Sequence, residues 1–398
     1  MLKLVSMQLS NFRSKHFELW SVFLAVYSIL ILRSANSLGR FPADPGYDYI
    51  YDANINGIQS WISLDPYVHF GARFLSWSAG LVALENQAVA LSLLVHGVWS
   101  ATAVGIFFVL RHEKVNSWTC YGSALAVALC PAASESTLAN VGNVKWALMA
   151  LALVISSSGA IIRSPRSSAL FLFVSGLTNP LLPIVLIPIA LQFLNQRNSE
   201  RKLALIPILG VVTSAIVQVF ALGSTTLGRG HSEKVLQPWP GMGLFWWFGI
   251  ASPVLICLAY ITVYKKFRFE SKSLVFFRIS ISVLLLVVVS YVYGGIADRY
   301  FVVPMILSWI IVFDFCIESR NRIMAPLRFV VVLPLLTSFG ITAIKWFDSS
   351  WYLVGGPSWS SEISKAKRSC ELGEDHVVIN VGMGNTTDLA CADIVDNS

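Results

Sequence analysis

Charge is what this 398-residue sequence has least of. Only 13% of its residues are Asp, Glu, Lys or Arg, whereas 55% are hydrophobic, and the mean hydropathy is +0.66. Soluble domains carry about 25% charged residues, and a soluble fold of this length could not cover so much apolar surface. The composition therefore excludes a soluble globular protein and predicts an all-α polytopic membrane protein.

Several motifs of soluble enzymes are absent as well. The sequence has no Gly-rich phosphate loop, no serine nucleophile elbow, and no Cys-x-x-Cys or His/Cys cluster of the kind that holds zinc or iron–sulfur clusters. The net charge of +7 is not gathered into a basic soluble domain, so nucleic acid is not an expected partner. Without a nucleotide-binding domain, we expect the activated substrate to be carried on a lipid. No cofactor is expected.

Hydrophobic runs dominate what is present. A helix needs about 20 apolar residues to cross a bilayer core of about 30 Å. Eleven runs are candidate transmembrane helices: 17–34, 88–110, 118–133, 144–162, 168–179, 182–194, 203–222, 243–264, 273–293, 300–316 and 326–345. The first is predicted to be retained, because no Ala-x-Ala cleavage site follows it. The runs 168–179 and 182–194 are short and interrupted by proline, which fits either a tight helical hairpin or a re-entrant pair.

The basic residues cluster in short connections, which assigns a membrane orientation. The positive-inside rule places these connections and the N-terminus in the cytoplasm. The opposite face then receives 35–87, 134–143, 223–242, 294–299 and the tail 346–398. We therefore expect a transmembrane domain over 1–345 that includes the first outer loop, followed by a small extracytoplasmic α+β domain over 346–398.

The tail has its own structural signals. Residues 361–368 are predicted to form a short helix, and 376–381 a short strand. Cys370 and Cys391 could form a disulfide in an oxidising compartment; the alternative is two free thiols.

The first outer loop, 35–87, concentrates carboxylates and aromatic rings. Residues 53–64 have the pattern of a helix lying along the membrane, and 70–84 are apolar enough to dip into it. An acid held near low-dielectric lipid can have a raised pKa and act as a general base. Asp48 is the first candidate base, Asp44 the second and Asp52 the third. The alternative is a solvated loop with an aromatic belt.

Two further outer regions hold polar residues at the ends of hydrophobic runs. His69 and Arg73 are one helical turn apart and would share a face suited to phosphate or sugar. The second outer loop contains Glu135, Asn140, Asn143 and Lys145. A lysine just inside a span needs a phosphate or an acid, unless it snorkels to the interface.

Asp298-Arg299-Tyr300 stands where one hydrophobic run ends and the next begins. An arginine there is a good phosphate clamp, because its planar fork bonds two oxygens at once. The alternative is an intramolecular ion pair of Arg299 with Asp298 or Asp48.

These residues carry a resemblance to a known group of membrane enzymes. The run Arg299-Tyr300-x-x-x-Pro304 is similar to one found late in bacterial members of the GT-C superfamily of polytopic glycosyltransferases. Asn140 and Asn143 before Trp146 resemble a pattern in bacterial relatives, as does Pro66-Tyr67-Val68-His69 leading to Arg73. The resemblance covers about residues 1–345. It departs from the family's usual acid pair in the first loop, because Asp44 and Asp48 stand three residues further apart than an adjacent pair.

The resemblance implies a function, which is stated here as an expectation. A bacterial inner-membrane enzyme would transfer a sugar from a polyprenyl-phosphate donor to a cell-envelope glycan or glycolipid, with inversion.

The resemblance also implies residue roles. Asp48 or Asp44 would be the base. Arg299 and Tyr300, helped by Lys145 or Arg73, would bind the donor phosphate. His69, Glu135, Asn140 and Asn143 would contact substrate. No metal is needed for a monophosphate donor, whereas a diphosphate donor would favour a metal held by Asp44 and Asp48.

Two other functions remain open. One is a polysaccharide polymerase or ligase that uses a diphosphate-linked oligosaccharide. Such proteins usually have a large, arginine-rich outer loop late in the chain, and 223–242 is modest. The other is a transporter or flippase of lipid-linked sugar, which would place charges in the middle of its spans; Asp314 is an exception among runs that mostly lack them.

Overall fold

The structure, a computed structural model, describes residues 2–35, 38–41, 46–62, 67–130, 138–194, 196, 198–223, 255–258, 260–261, 271–294, 301–318, 357–382 and 385–396. These residues are mostly helical. The α-helices are α1 Leu2–Arg33, α2 Gly46–Asn56, α3 Phe70–Gly80, α4 Gln87–His112, α5 Ser117–Leu129, α6 Val144–Ser157, α7 Ala160–Arg163, α8 Pro165–Thr178, α9 Leu186–Leu194, α10 Asn198–Gly223, α11 Ser271–Gly294, α12 Val302–Glu318, α13 Trp359–Glu371 and α14 Cys391–Asp396. Short 3-10 helices are η1 Gly57–Ile62, η2 Leu84–Asn86, η3 Val141–Asn143 and η4 Leu182–Val185, and the strands are β1 His376–Gly382 and β2 Asn385–Ala390.

Three helices in these ranges are long and apolar enough to cross a membrane: His16–Arg33, Leu84–His112 and Glu200–Ala221. Shorter apolar helices cover Val141–Ser157, Leu182–Leu194, Leu274–Val289 and Val302–Ile317. The mostly helical architecture expected from the sequence is confirmed, and helices cover nine of the eleven hydrophobic runs. The run 243–264 lies largely outside the described residues and 326–345 lies wholly outside them. The number of crossings stays a prediction.

Several predicted boundaries were wrong. The run 144–162 is interrupted, because Ser158 is extended and the Glu113 carboxylate accepts a hydrogen bond from the Gly159 N–H (2.9 Å). Within the run 118–133, helix α5 ends at Leu129, because Cys130 leaves the helical conformation (φ −54°, ψ 120°); residues 131–133 lie outside the described residues. In the first loop, helix begins at Gly46 and not at 53. Asp48 therefore lies in the first turn of α2, where the helix dipole favours a negative charge.

Contacts between distant residues sort the helix ends into two sets. At one end, Arg111 lies 3.8 Å from Glu18, and the Tyr121 hydroxyl donates to Glu18 (2.7 Å). At the other end, Arg33 donates to the carbonyl groups of Ala128 (2.7 Å) and Cys130 (3.2 Å). Helices α1, α4 and α5 therefore alternate in direction. We call the end at Glu18 and Arg111 the basic end, and the end at Arg33 and Cys130 the tail end.

The later helices keep this alternation. Arg163 pairs with Glu113 at 2.5 Å, which places the short α6–α8 connection at the basic end. Arg278 donates to the Ser157 carbonyl (2.9 Å) at the same end. At the tail end, Cys130 Sγ lies 3.7 Å from the carbonyl oxygen of Val302, the first residue of α12. Basic connections that are distant in sequence therefore gather on one side.

Small residues let the helices approach closely. A Cβ added to Gly105 in α4 would lie 2.7 Å from a Leu151 methyl group in α6. A Cβ at Gly210 in α10 would lie 2.5 Å from the backbone oxygen of Ala169 in α8. Such contacts are typical of membrane helices, whose packing depends on small residues and not on a hydrophobic driving force. Large side chains fill the remaining interior, including Trp99, Phe107, Phe276 and Phe301.

The tail is a small helix-and-hairpin unit. Ser358 caps α13 by accepting a hydrogen bond from the Ser361 N–H. Strands β1 and β2 pair antiparallel, with His376 opposite Ala390 and Ile379 opposite Thr387. A disulfide joins Cys370 to Cys391 across a Cα–Cα distance of 5.4 Å. The helix and the first strand predicted from the sequence are both present, each slightly longer than expected.

The tail packs against the first loop. The Lys367 ammonium pairs with Glu85, and the Trp359 indole N–H donates to the Leu84 carbonyl (2.6 Å). The tail and the first loop therefore lie on the same side of any membrane that the helices cross. If α1 crosses once, the chain crosses an odd number of times, which is the parity of the eleven predicted spans.

Candidate functional site

The site is built around residues 67–69, which lead into α3 at the tail end. His69 adopts a left-handed backbone conformation (φ 46°, ψ 33°), which is uncommon outside glycine but enriched for histidine. The Val68 N–H donates to Gln218 of α10 (3.3 Å), and the Gly71 N–H donates to Thr178 of α8 (3.0 Å). Helix α8 thus satisfies one of the N–H groups that the start of a helix leaves open, and α10 satisfies the N–H of the residue before the N-cap.

Aromatic rings and cations form a continuous chain of contacts there. The rings of Tyr67 and His69 stack at 3.5 Å between centroids, and Tyr49 of α2 lies 5.5 Å from His69. The Arg73 guanidinium lies 5.3 Å from the Tyr49 ring, and Lys145 Nζ donates to the Tyr67 hydroxyl at 2.9 Å. With Asp52, which binds Arg73, these residues are called the site cluster. It joins α2, α3 and α6.

Arg73 is the buried cation of the site cluster. Its Nη1 donates to Asp52 Oδ2 at 2.5 Å and to the Ser60 carbonyl at 3.2 Å, and the residue is 4% exposed. Asp52 also accepts a hydrogen bond from Asn56 (2.6 Å). Because the carboxylate compensates the guanidinium, this pair fixes α2 against α3.

His69 is the buried neutral group of the site cluster. Burial is the largest cause that lowers its pKa from the ordinary value, and together with the positive charges of Lys145 and Arg73 it brings the pKa to about 2. Within the residues that the structure describes, His69 Nδ1 is buried without a hydrogen-bond partner. A neutral imidazole can accept or donate a hydrogen bond. His69 Nδ1 is therefore placed to hydrogen-bond a ligand beside the cations Lys145 and Arg73.

Lys145 is held at the start of α6 by the turns around it. Asn140 accepts a hydrogen bond from the Gly142 N–H (2.8 Å) and so shapes η3 just before the lysine. Asn179 donates to the Lys145 carbonyl (3.3 Å). The half-buried ammonium lies 5.6 Å from the Tyr67 ring and 5.4 Å from the Trp146 ring, distances at which cation–π attraction is effective.

Comparisons with known proteins give likenesses in structure alone. No protein-family model matches the sequence, and no curated protein matches it. Among solved structures, the chain is similar to the oligosaccharyltransferase of Archaeoglobus fulgidus in the apo form, with a TM-score of 0.48 and 16% sequence identity. The match covers 90% of this chain and 58% of that chain. A likeness at this level does not place the chain in a family.

The structure brings together three of the residues expected to bind substrate: Lys145, His69 and Arg73. Asp48 is exposed, one turn before Asp52, and forms no ion pair with a described residue. The Asn143 side chain is buried and makes no hydrogen bond within the same ranges. Asp44, Glu135, Arg299 and Tyr300 lie outside the described residues.

Three members of the site cluster were missed as site residues or ranked low from the sequence. Asp52 is only the third candidate base, Tyr49 is one of the aromatic residues of the first loop, and Tyr67 enters only through the resemblance of Pro66-Tyr67-Val68-His69. The density of aromatic residues among the carboxylates of the first loop was the one feature of the sequence that pointed to them. For metal binding, the described parts of the chain contain no group of three or more His, Cys, Asp and Glu side chains placed to hold an ion.

Proposed function

We propose that the chain is a GT-C-type glycosyltransferase that acts at the tail end of its helices. It transfers a sugar from a polyprenyl-phosphate donor to a cell-envelope glycan or glycolipid, with inversion. One observation carries the proposal: a half-buried cation, Lys145, and a buried neutral imidazole, His69, lie beside a helix with an exposed carboxylate, Asp48. Together they offer contacts for a phosphate, a sugar and an acceptor hydroxyl.

Lys145 is proposed to bind the donor phosphate. A cation at the start of an apolar helix is costly unless an anion compensates it, and in a low-dielectric site it stabilises the charge that develops on a leaving phosphate. Arg299 and Tyr300 are proposed to complete the phosphate site, on the sequence resemblance alone. Arg73 is assigned a positioning role, because Asp52 and the Ser60 carbonyl already occupy its Nη1.

Asp48 is proposed as the general base, with Asp44 as the second candidate. The carboxylate would take the proton of the acceptor hydroxyl while that oxygen attacks the anomeric carbon. The bond between the anomeric carbon and the phosphate oxygen breaks, polyprenyl phosphate leaves, and the configuration inverts. His69 would hydrogen-bond the bound sugar or phosphate through Nδ1. Asn143 and Glu135 are proposed substrate contacts, whereas Asn140 shapes the turn before Lys145.

The proposed location follows from charge. The positive-inside rule assigns the basic end to the cytoplasm of a bacterial inner membrane, so the tail end would be extracytoplasmic. The Cys370–Cys391 disulfide suits such an oxidising compartment. Exposed apolar residues of the first loop, among them Ile55, Ile58 and Phe74, suit contact with lipid, from which the donor would enter.

Transfer can be measured with the purified chain in lipid nanodiscs, polyprenyl-phosphate sugars and extracted envelope glycans. Lys145→Met should raise the KM for the donor at least about tenfold, whereas Lys202→Met, at the basic end, should not. Asp48→Asn should lower kcat about 100-fold or more, whereas Asp375→Asn, in the tail, should not. Wild-type kinetics in both site variants would contradict the proposal.

The same assay separates the other two functions. A chain that uses only diphosphate-linked oligosaccharide and requires a divalent cation would be a polymerase or ligase, with Asp44 and Asp48 as candidate ligands. A chain that moves lipid-linked sugar between leaflets without transferring it would be a transporter. Either result would overturn the proposal.

A further inference from the structure

Trp359 connects the tail to two separate places in the first loop. It is 3% exposed and is the first residue of α13. Its backbone N–H donates to the Gly39 carbonyl (2.9 Å), and its indole N–H donates to the Leu84 carbonyl (2.6 Å). Its ring also meets Phe41 edge to face, with 4.8 Å between centroids. One side chain and its own backbone thus make three separate contacts.

These contacts fall at the two ends of the first loop. Gly39 and Phe41 follow α1, whereas Leu84 opens η2 just before α4. Gly39 has a positive φ of 81°, which glycine adopts without strain, and this turn presents its carbonyl to Trp359. The segment between the two ends carries α2, η1 and α3, and with them Asp48, Asp52, His69 and Arg73.

A second contact holds the same end of the loop. Lys367, two turns further along α13, pairs with Glu85 next to Leu84. The disulfide joins the end of α13 to α14, so the unit that carries Trp359 is itself cross-linked. Part of α2 and this unit line one pocket between them: Tyr51 and Ile55 come from α2, and Leu389 and Ile394 come from the tail unit. The unit therefore meets the first loop at its end near Leu84 and faces α2 across this pocket.

We propose that Trp359 is a positioning residue that clasps both ends of the first loop. By fixing the start and the end of the segment, it sets the distance between the carboxylates on α2 and Lys145 on α6. The role of Trp359 in holding the loop ends is structural, and only its effect on catalysis rests on the proposed function. A displacement of about 1 Å in a reacting group can cost about 100-fold in rate. Loss of the Trp359 contacts should therefore lower kcat.

The clasp can be tested by hydrogen exchange on the full chain in nanodiscs. In Trp359→Ala, the amides of α2 should lose at least about tenfold in protection, because a large buried side chain is removed. Trp359→Phe keeps a ring against Phe41 and keeps the backbone hydrogen bond to Gly39, but loses the one to Leu84. It should therefore speed amide exchange at residues 82–87 and leave amide exchange at 38–41 unchanged. Leu372→Ala, which truncates an 85% exposed residue of the same unit, is the matched control and should change nothing.

Kinetics provide the second measurement. Trp359→Ala should lower kcat at least about tenfold and raise the KM for the lipid-linked donor by a smaller factor, because the proposed base Asp48 lies within the clasped segment and the proposed phosphate contact Lys145 lies outside it. Trp359→Phe should fall between this variant and the wild type. The proposal is overturned if the tail amides exchange faster in both variants while those of α2 and 82–87 stay protected. If the wild-type chain transfers no sugar, the proposed function fails, and hydrogen exchange still decides the clasp.

Discussion

Asp52 and Arg73 form a 2.5 Å ion pair that ties α2 to α3 across 21 residues of sequence. Only 5% of the arginine side chain is exposed, against 24% of the aspartate side chain. The carboxylate therefore compensates the charge of an almost fully buried guanidinium. The pair also holds Tyr49 next to Arg73, so it supports the whole site cluster.

Asp52→Ala should destabilise the protein by about 2–3 kcal/mol, because it removes the carboxylate that pairs with a buried guanidinium at 2.5 Å. The matched control is Arg163→Met, which removes the arginine of a pair at the basic end. That arginine side chain is 47% exposed, so its loss should cost less than about 1 kcal/mol. Unfolding in detergent measures both, and equal losses would contradict the assignment of Arg73 as a buried structural cation.

Acidification should destabilise the fold through His69. In the unfolded chain its pKa is about 6.5, whereas burial, Lys145 and Arg73 lower the folded value to about 2. Between these values the unfolded state binds a proton that the folded state does not, so stability falls as the pH drops below 6.5. From pH 7 to pH 5 this amounts to about 2 kcal/mol.

His69→Asn isolates that contribution, because asparagine also tolerates a left-handed backbone and does not titrate. The variant should lose less stability than the wild type between pH 7 and pH 5. Thermal unfolding at the two pH values measures the difference. Equal pH dependence in the two proteins would show that His69 is not held neutral by its surroundings.

Gln218→Leu should loosen the residues that place His69. The Gln218 amide donates to the carbonyl groups of Gly176 and Leu177, both at 2.9 Å, and accepts from the Val68 N–H. Leucine keeps the volume but leaves buried polar groups unsatisfied, at a cost of about 2–3 kcal/mol. Val219→Ala is the matched control, since that residue is 67% exposed on the same helix. Hydrogen exchange at 67–71 should rise in Gln218→Leu alone.

Reduction of the Cys370–Cys391 disulfide should affect the tail more than the helices. The bond closes a segment with a sequence separation of 21, and a loop of this size contributes about 3 kcal/mol. Cys391→Ser should therefore lower the protection of α13, β1 and β2. Cys316→Ser removes a cysteine that forms no disulfide and should have no such effect. Equal protection of the tail in wild type and Cys391→Ser would contradict this contribution.

Much of the architecture could be predicted because its signals are local. Apolar runs predicted α4 and α10, and the local sequence at 361–368 and 376–381 predicted the helix and first strand of the tail. The same signals misplaced helix ends, as at Ser158, because a side chain from another connection, Glu113, decides where that helix stops. For the candidate site, the sequence offered Lys145, His69 and Arg73 as candidates, but it did not predict which residues contact them.

By itself, the sequence determined that the chain is apolar, mostly helical and basic in its short connections, because composition and periodicity act over a few residues. Tertiary structure alone decided that Asp52 pairs with Arg73, that Lys145 meets Tyr67 across 78 residues, and that Trp359 reaches Leu84 across 275. No spacing rule connects such partners. They meet because helices that alternate in direction bring loops far apart in sequence to the same end.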